Sequence, residues 1–166
     1  MRSLLGAAAL WAAAIFPAAA DCYAAAGAEY SIDPALLRAI GYVESRNSPG
    51  IVANHPNGAT DLCEMQINDQ HLPKLASYGI SRDLLLKNRC TCIRVGAWIL
   101  AHEIAVVGST WRAVGRYHTG PAGTESRQRA YASKVRIAYE QRAARVEVTR
   151  PLAIPVQRTP QAESTR

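Results

Sequence analysis

One carboxylate in the chain stands where it could act as an acid. Glu44 closes the stretch Asp33-Pro34-Ala-Leu-Leu-Arg-Ala-Ile-Gly-Tyr-Val-Glu44-Ser45. Asp33 suits a helix N-cap and Pro34 the first turn, where no intrahelical N–H is needed. Leu37, Ile40 and Glu44 then fall at i, i+3 and i+7, so the carboxylate shares a face with apolar side chains. A partly desolvated carboxyl in such a place is the kind of group that donates a proton near neutral pH. The competing reading is a helix-terminal glutamate turned to solvent, where most glutamates lie. A second polar stretch, Asp61-Leu-Cys63-Glu64-Met65-Gln66-Ile67-Asn68, mixes two acids and an amide with apolar residues. A third is Tyr117-His118. Taken singly, Met65 reads as a core gap-filler and Tyr117 as a core aromatic. Gln66 is harder to place in a core, because a buried amide needs partners.

The elements that must position these residues are helical. Cys22 to Tyr30 is a short alanine-rich helix, and the helix of Glu44 follows it, ending at the turn residues Asn47-Ser48-Pro49-Gly50. Ile51 to Leu62, with His55-Pro56-Asn57-Gly58, reads as an irregular loop. Ser81 caps a further helix. Cys90 to Val107 carries Ile93, Ala97, Leu100 and Ile104 at helical spacing and is expected to be the central buried helix, ended by Gly108. Thr110 to Tyr117 adds an amphipathic turn or two before Gly120-Pro121. A last helix runs from Ser126 to about Ala143, with Tyr131, Val135 and Ala138 on one face. With no repeat and no alternating strand, the class is all-α with little or no sheet, a single compact helical domain.

The 166-residue chain opens with Met1-Arg2, an apolar run from Leu4 to Phe16, and Pro17-Ala18-Ala19-Ala20. This is the pattern of a secretory signal peptide over residues 1–20, cut near Ala20/Asp21. The expectation is an exported, periplasmic protein with a folded domain over residues 21–143 and a disordered tail over 144–166. No transmembrane segment is expected after cleavage, the run being short for a span. Four cysteines, Cys22, Cys63, Cys90 and Cys92, in an exported chain read as disulfides. Three pairings are open, of which Cys90 with Cys92 is the poorest, since one residue separates them. Neither a metal nor a cofactor is expected, because zinc-ligand spacing and a supporting histidine pair are missing. The net charge of +6 suits an anionic envelope polymer or membrane surface. No nucleic-acid-binding motif accompanies it.

Three blocks taken together resemble the lytic transglycosylase family with its lysozyme-like fold: Ala39-Ile-Gly-Tyr-Val-Glu44-Ser45, then Asp61-Leu-Cys-Glu-Met65-Gln66-Ile67-Asn68, then Ala113-Val-Gly-Arg-Tyr117-His-Thr-Gly120-Pro121. More narrowly, the chain is similar to the small exported members that accompany type III and type IV secretion or pilus systems. The resemblance implies an active-site cleft with Glu44 as the single catalytic acid/base. It implies Ser45 fixing the local backbone, Met65 and Gln66 lining the cleft and contacting sugar, and the Tyr117 hydroxyl near the catalytic carboxyl. Cys22 and Cys90 occupy places where secretion-associated members carry a disulfide. The implied partners are the glycan strands of peptidoglycan and secretion-apparatus proteins, met by a monomer. The implied chemistry protonates the oxygen of a MurNAc–GlcNAc bond and closes a 1,6-anhydromuramoyl end without water.

Three departures stand out. The family's Gly-Leu-Met-Gln is here Cys63-Glu64-Met65-Gln66, and its Tyr-Asn has become Tyr117-His118, whose imidazole can still donate a hydrogen bond to substrate. Cys63 and Cys92 are extra to the pattern and are expected to pair with each other, the alternative being two buried thiols. Asp61 and Glu64 are candidate second carboxylates, which keeps a lysozyme-type hydrolase open. Glu64 is nonetheless expected to face solvent, since an unpaired buried carboxylate is costly. A non-catalytic peptidoglycan-binding scaffold is the remaining alternative.

Overall fold

The structure, a computed structural model, describes residues 21–108 and 110–149. Its helices begin and end where local chemistry directs. In α1 (Cys22–Tyr30) the Asp21 carboxylate accepts from the Tyr23 amide, and Ser31 closes the helix in the left-handed region. In α2 (Pro34–Ser45) Asp33 accepts from the Ala35 amide at 2.8 Å. Arg46 and Asn47, at φ 58° and 59°, then turn the chain sharply away directly after Glu44-Ser45. Two short helices, α3 (Leu72–Ala76) and α4 (Arg82–Lys87), precede α5 (Arg89–Val107), where Asn88 caps the first turn and Gly108 the last. The last two are α6 (Thr110–Thr119) and α7 (Glu125–Thr149).

Helix α5 is the axis of the domain. It packs against α1 on one side and α6 on the other, while α7 lies across α2 and α6. Cys92, Ile93, Ala97 and Leu100 of α5 meet Leu37 and Ile40 of α2 and Val114 of α6 in one core. Among the described residues α5 is also the one helix long and apolar enough to cross a membrane, but it runs through this core. Gly96 lets it do so: a Cβ there would stand 2.7 Å from the terminal carbon of Met65.

Three features differ from the sequence reading. The stretch from Ile51 to Leu62 is not irregular. Val52–Asn54 (β1) and Thr60–Leu62 (β2) form an antiparallel hairpin, and Ile67–Asn68 (β3) completes a three-stranded sheet in the order β1-β2-β3. Strands of two or three residues are too short to show alternation, and the loop-like His55-Pro56-Asn57-Gly58 is the hairpin turn itself. The last helix continues past Ala143 to Thr149, because no breaker intervenes before Pro151. Residues 144–149 therefore belong to α7 rather than to a tail. The expected signal peptide over residues 1–20 and the remainder of the expected tail, 150–166, lie outside the described residues. Finally, Glu64 is completely buried rather than solvent-facing.

Candidate active site

The helical part and the small sheet enclose a cleft of about 530 Å³. One wall is the end of α2 with Glu44, the other the sheet with Asp61, and α6 closes the third side with Tyr117 and His118. The Glu44 side chain is only 11% exposed. Its Oε1 accepts a hydrogen bond from the Tyr131 hydroxyl, which comes from α7. The His118 ring lies flat on the Tyr131 ring, 4.3 Å between centroids and 2° from parallel, with Nδ1 3.8 Å from the same Oε1. No side chain among the described residues hydrogen-bonds Oε2. No buried side-chain oxygen or nitrogen there lacks a partner either, so Oε2 is the oxygen open to the cleft. Burial and the nearby Glu44 charge hold the Tyr131 phenol well above its ordinary range. Tyr131 is therefore a fixed donor at working pH.

The remaining candidate residues divide into those that reach the cleft and those that support it. Gln66 lines the cleft, its amide Nε2 held by the Cys63 carbonyl at 2.9 Å. Asp61 also lines it, with one oxygen taken by Asn68 Nδ2 at 2.8 Å and the other facing His55 Nε2 at 2.6 Å. Tyr117 borders the cleft, but its hydroxyl donates to the Met65 carbonyl at 2.6 Å and not to Glu44. Desolvation first, and the Glu44 charge second, keep that phenol protonated far into the alkaline range.

Ser45, Met65 and Glu64 do not line the cleft. Ser45 Oγ donates to the Glu64 carbonyl at 2.8 Å and accepts from the Ser48 amide, tying the end of α2 to the turn between β2 and β3. The Met65 side chain is fully buried against α5, so it shapes the cleft from behind rather than from within. The Glu64 carboxylate lies on the far side of the turn, where Arg89 binds it through Nε and Nη2 and the Tyr23 hydroxyl donates to Oε1. It is compensated where it lies and is not a second carboxylate of this cleft. Cys22 is bonded to Cys90 and Cys63 to Cys92, so α1 and the β2–β3 turn are each stitched to α5.

Two groups escaped the sequence reading. Tyr131 lies on the core face of the last helix, as its spacing predicts, and the signal for its role is that a buried phenol needs an acceptor. The other is an ion pair between Glu103 of α5 and Arg116 of α6, both largely buried and both on the cleft wall.

Comparison with known proteins gives a consistent picture. Residues 21–139 match the transglycosylase SLT domain family. Invasion protein IagB of Salmonella typhimurium is 39% identical over 128 residues, covering 76% of this chain and 79% of that one. An X polypeptide of Escherichia coli is 42% identical over 120 residues, 70% and 71% of the two chains. Protein IpgF of Shigella flexneri is 34% identical over 110 residues, 66% and 72%.

Proposed function

The chain belongs to the transglycosylase SLT family, and on that premise we propose that it is an exported peptidoglycan lytic transglycosylase. It cleaves the β-1,4 bond between N-acetylmuramic acid and N-acetylglucosamine. The observation that carries the reading is the two-sided environment of Glu44, with Oε1 fixed by Tyr131 and Oε2 open to the cleft.

In the first step the Glu44 carboxylic acid gives its Oε2 proton to the glycosidic oxygen, and the bond to the muramoyl anomeric carbon breaks. In the second the Glu44 carboxylate takes the proton of the muramoyl C6 hydroxyl, whose oxygen bonds to that carbon. The product is a 1,6-anhydromuramoyl end, the glutamate is again protonated, and no water is consumed. Tyr131 donates to Oε1 throughout, steadying the carboxylate between the steps. Gln66 and His118, both lining the cleft, offer amide and imidazole groups to the sugars. Two disulfides support residence in an oxidising compartment such as the periplasm. One relative is named an invasion protein, which together with the resemblance to secretion-associated members supports local cell-wall opening for an envelope-spanning apparatus.

One observation favours a second reading. Asp61 faces the same cleft as Glu44, as the second carboxylate of a lysozyme-type hydrolase would. A non-catalytic scaffold is tested by Glu44→Gln. The proposed enzyme loses at least about a hundredfold of its clearing of purified peptidoglycan, the usual weight of a general acid, and the variant still pellets with the polymer. Clearing unchanged by the substitution would reject the proposal.

A further inference from the structure

The turn that joins β2 to β3, residues 63–66, has both its ends in the left-handed region, Cys63 at φ 58° and Gln66 at φ 49°. Neither is glycine, so each carries a Cβ in a conformation that only glycine adopts without cost. Cys63 matters more, because its carbonyl is the acceptor for Gln66 twice over: from the backbone amide at 3.0 Å and from the side-chain amide at 2.9 Å. The direction of that carbonyl follows the Cys63 backbone. A relaxation of Cys63 into the right-handed region would swing the carbonyl away and leave Gln66 unaimed. The rest of the turn does not restrain Cys63 directly. The Glu64 carboxylate is held by Tyr23 and Arg89 and its carbonyl by Ser45 Oγ, and the Met65 carbonyl by Tyr117. At Cys63 the restraints are its amide bond to the Ile51 carbonyl and the covalent link to Cys92 of α5, whose sulfur also accepts from the Met65 amide at 3.4 Å.

We propose that the Cys63–Cys92 disulfide is a positioning element of the active site: it holds Cys63 in the left-handed conformation that aims Gln66 into the cleft, so that glycan cleavage requires this bond to be oxidised. The inference rests on the proposed transglycosylase reading for what the cleft does, and on the turn geometry alone for what the bond does. Reduction by a dithiol breaks the sulfur–sulfur bond and forms two thiols, the dithiol becoming a disulfide. Two electrons and two protons pass to the protein.

The test uses the mature chain in three forms: wild type, Cys63→Ala/Cys92→Ala and Cys63→Gly/Cys92→Ala. Both variants lose the cross-link and keep Cys22–Cys90, but only the alanine form retains a Cβ at the left-handed position. Glu44-dependent cleavage is expected to fall roughly tenfold or more in the alanine pair, as small misplacements of a binding group do. The glycine pair is expected to return to within about threefold of wild type, because glycine accepts that φ freely. Dithiothreitol should silence the wild type in step with thiol release and leave the glycine pair active. Wild-type rates in the alanine pair, or equal losses in the two pairs, would overturn the proposal. Amide exchange at Gln66 reads the turn without any chemistry: protection should drop in the alanine pair and be largely kept in the glycine pair. If the wild type yields no Glu44-dependent product at all, the transglycosylase reading fails, and equal Gln66 protection in the three proteins still decides against this proposal.

Discussion

At Glu44 the two carboxyl oxygens have different surroundings, and the residue that separates them is Tyr131. Its hydroxyl occupies Oε1 from a helix 87 positions further along the chain. Tyr131→Phe keeps the ring that His118 stacks on and removes only that donor. The expected result is a fall in kcat of roughly ten- to a hundredfold, in line with loss of a preorganised hydrogen bond, with KM nearly unchanged and a stability loss of about 1 kcal/mol. Steady-state kinetics beside thermal melting check it; a variant of wild-type turnover would remove Tyr131 from the mechanism. The phenols also dictate an alkaline limit. Tyr23, Tyr117 and Tyr131 all titrate above their ordinary range in the folded chain, chiefly because burial disfavours the phenolate. A group whose folded pKa is raised stabilises the fold fully below its unfolded value, near 10, and that contribution is lost as pH rises beyond it. Denaturant unfolding should therefore show stability that begins to fall above about pH 10. Phenolate absorbance should at first account for fewer than the seven tyrosines and recover the rest with unfolding.

The elements hold the site's geometry through close contacts, one of which lies between α6 and α7. A Cβ on Gly115 would stand 2.6 Å from the Gln128 carbonyl oxygen, a backbone atom that cannot swing aside. Gly115→Ala should prise α6 from α7 at a cost of roughly 1–3 kcal/mol. Because Tyr117 and His118 belong to one helix and Tyr131 to the other, activity should fall further than the melting temperature suggests. Parallel melting and clearing assays decide this, and a stable, fully active variant would contradict the packing account. Helix boundaries were legible because caps are local: Asp33, Ser81 and Gly108 act on amides or carbonyls within one turn. Glu44 was legible because its apolar neighbours recur at helical spacing. The sheet was not, since its strands are shorter than the alternation that would reveal them. Glu64 was misplaced because its partners, Tyr23 and Arg89, lie 41 and 25 positions away. The base rate that sends glutamates to the surface applies only to those without such partners. The Tyr131–Glu44 bond was illegible for the same reason.

For the molecule as a whole, a domain of this size has a modest core, and the disulfides reinforce it where α1 and the β2–β3 turn meet the central helix. Cys22–Cys90 spans 68 positions and closes the first helix onto α5. Chain-entropy arguments give such a loop about 4 kcal/mol. Replacing both cysteines by alanine should lower stability by that order in urea unfolding while leaving cleavage at low temperature near wild type, since this bond touches no cleft residue. A matching loss of activity in the still-folded variant would show that the two disulfides share one function instead of dividing stability from positioning. The helices, the sheet and the two bonds together hold the Glu44 carboxyl group at a cleft that also contains Asp61. The proposed transglycosylase and the hydrolase differ in what the anomeric carbon receives. Mass spectrometry of the muropeptides released by the mature protein, beside those from Glu44→Gln, reads this directly. The account predicts 1,6-anhydromuramoyl ends from the wild type and none from the variant. Reducing ends, heavier by one water and lost on Asp61→Asn, would contradict it and make the protein a hydrolase.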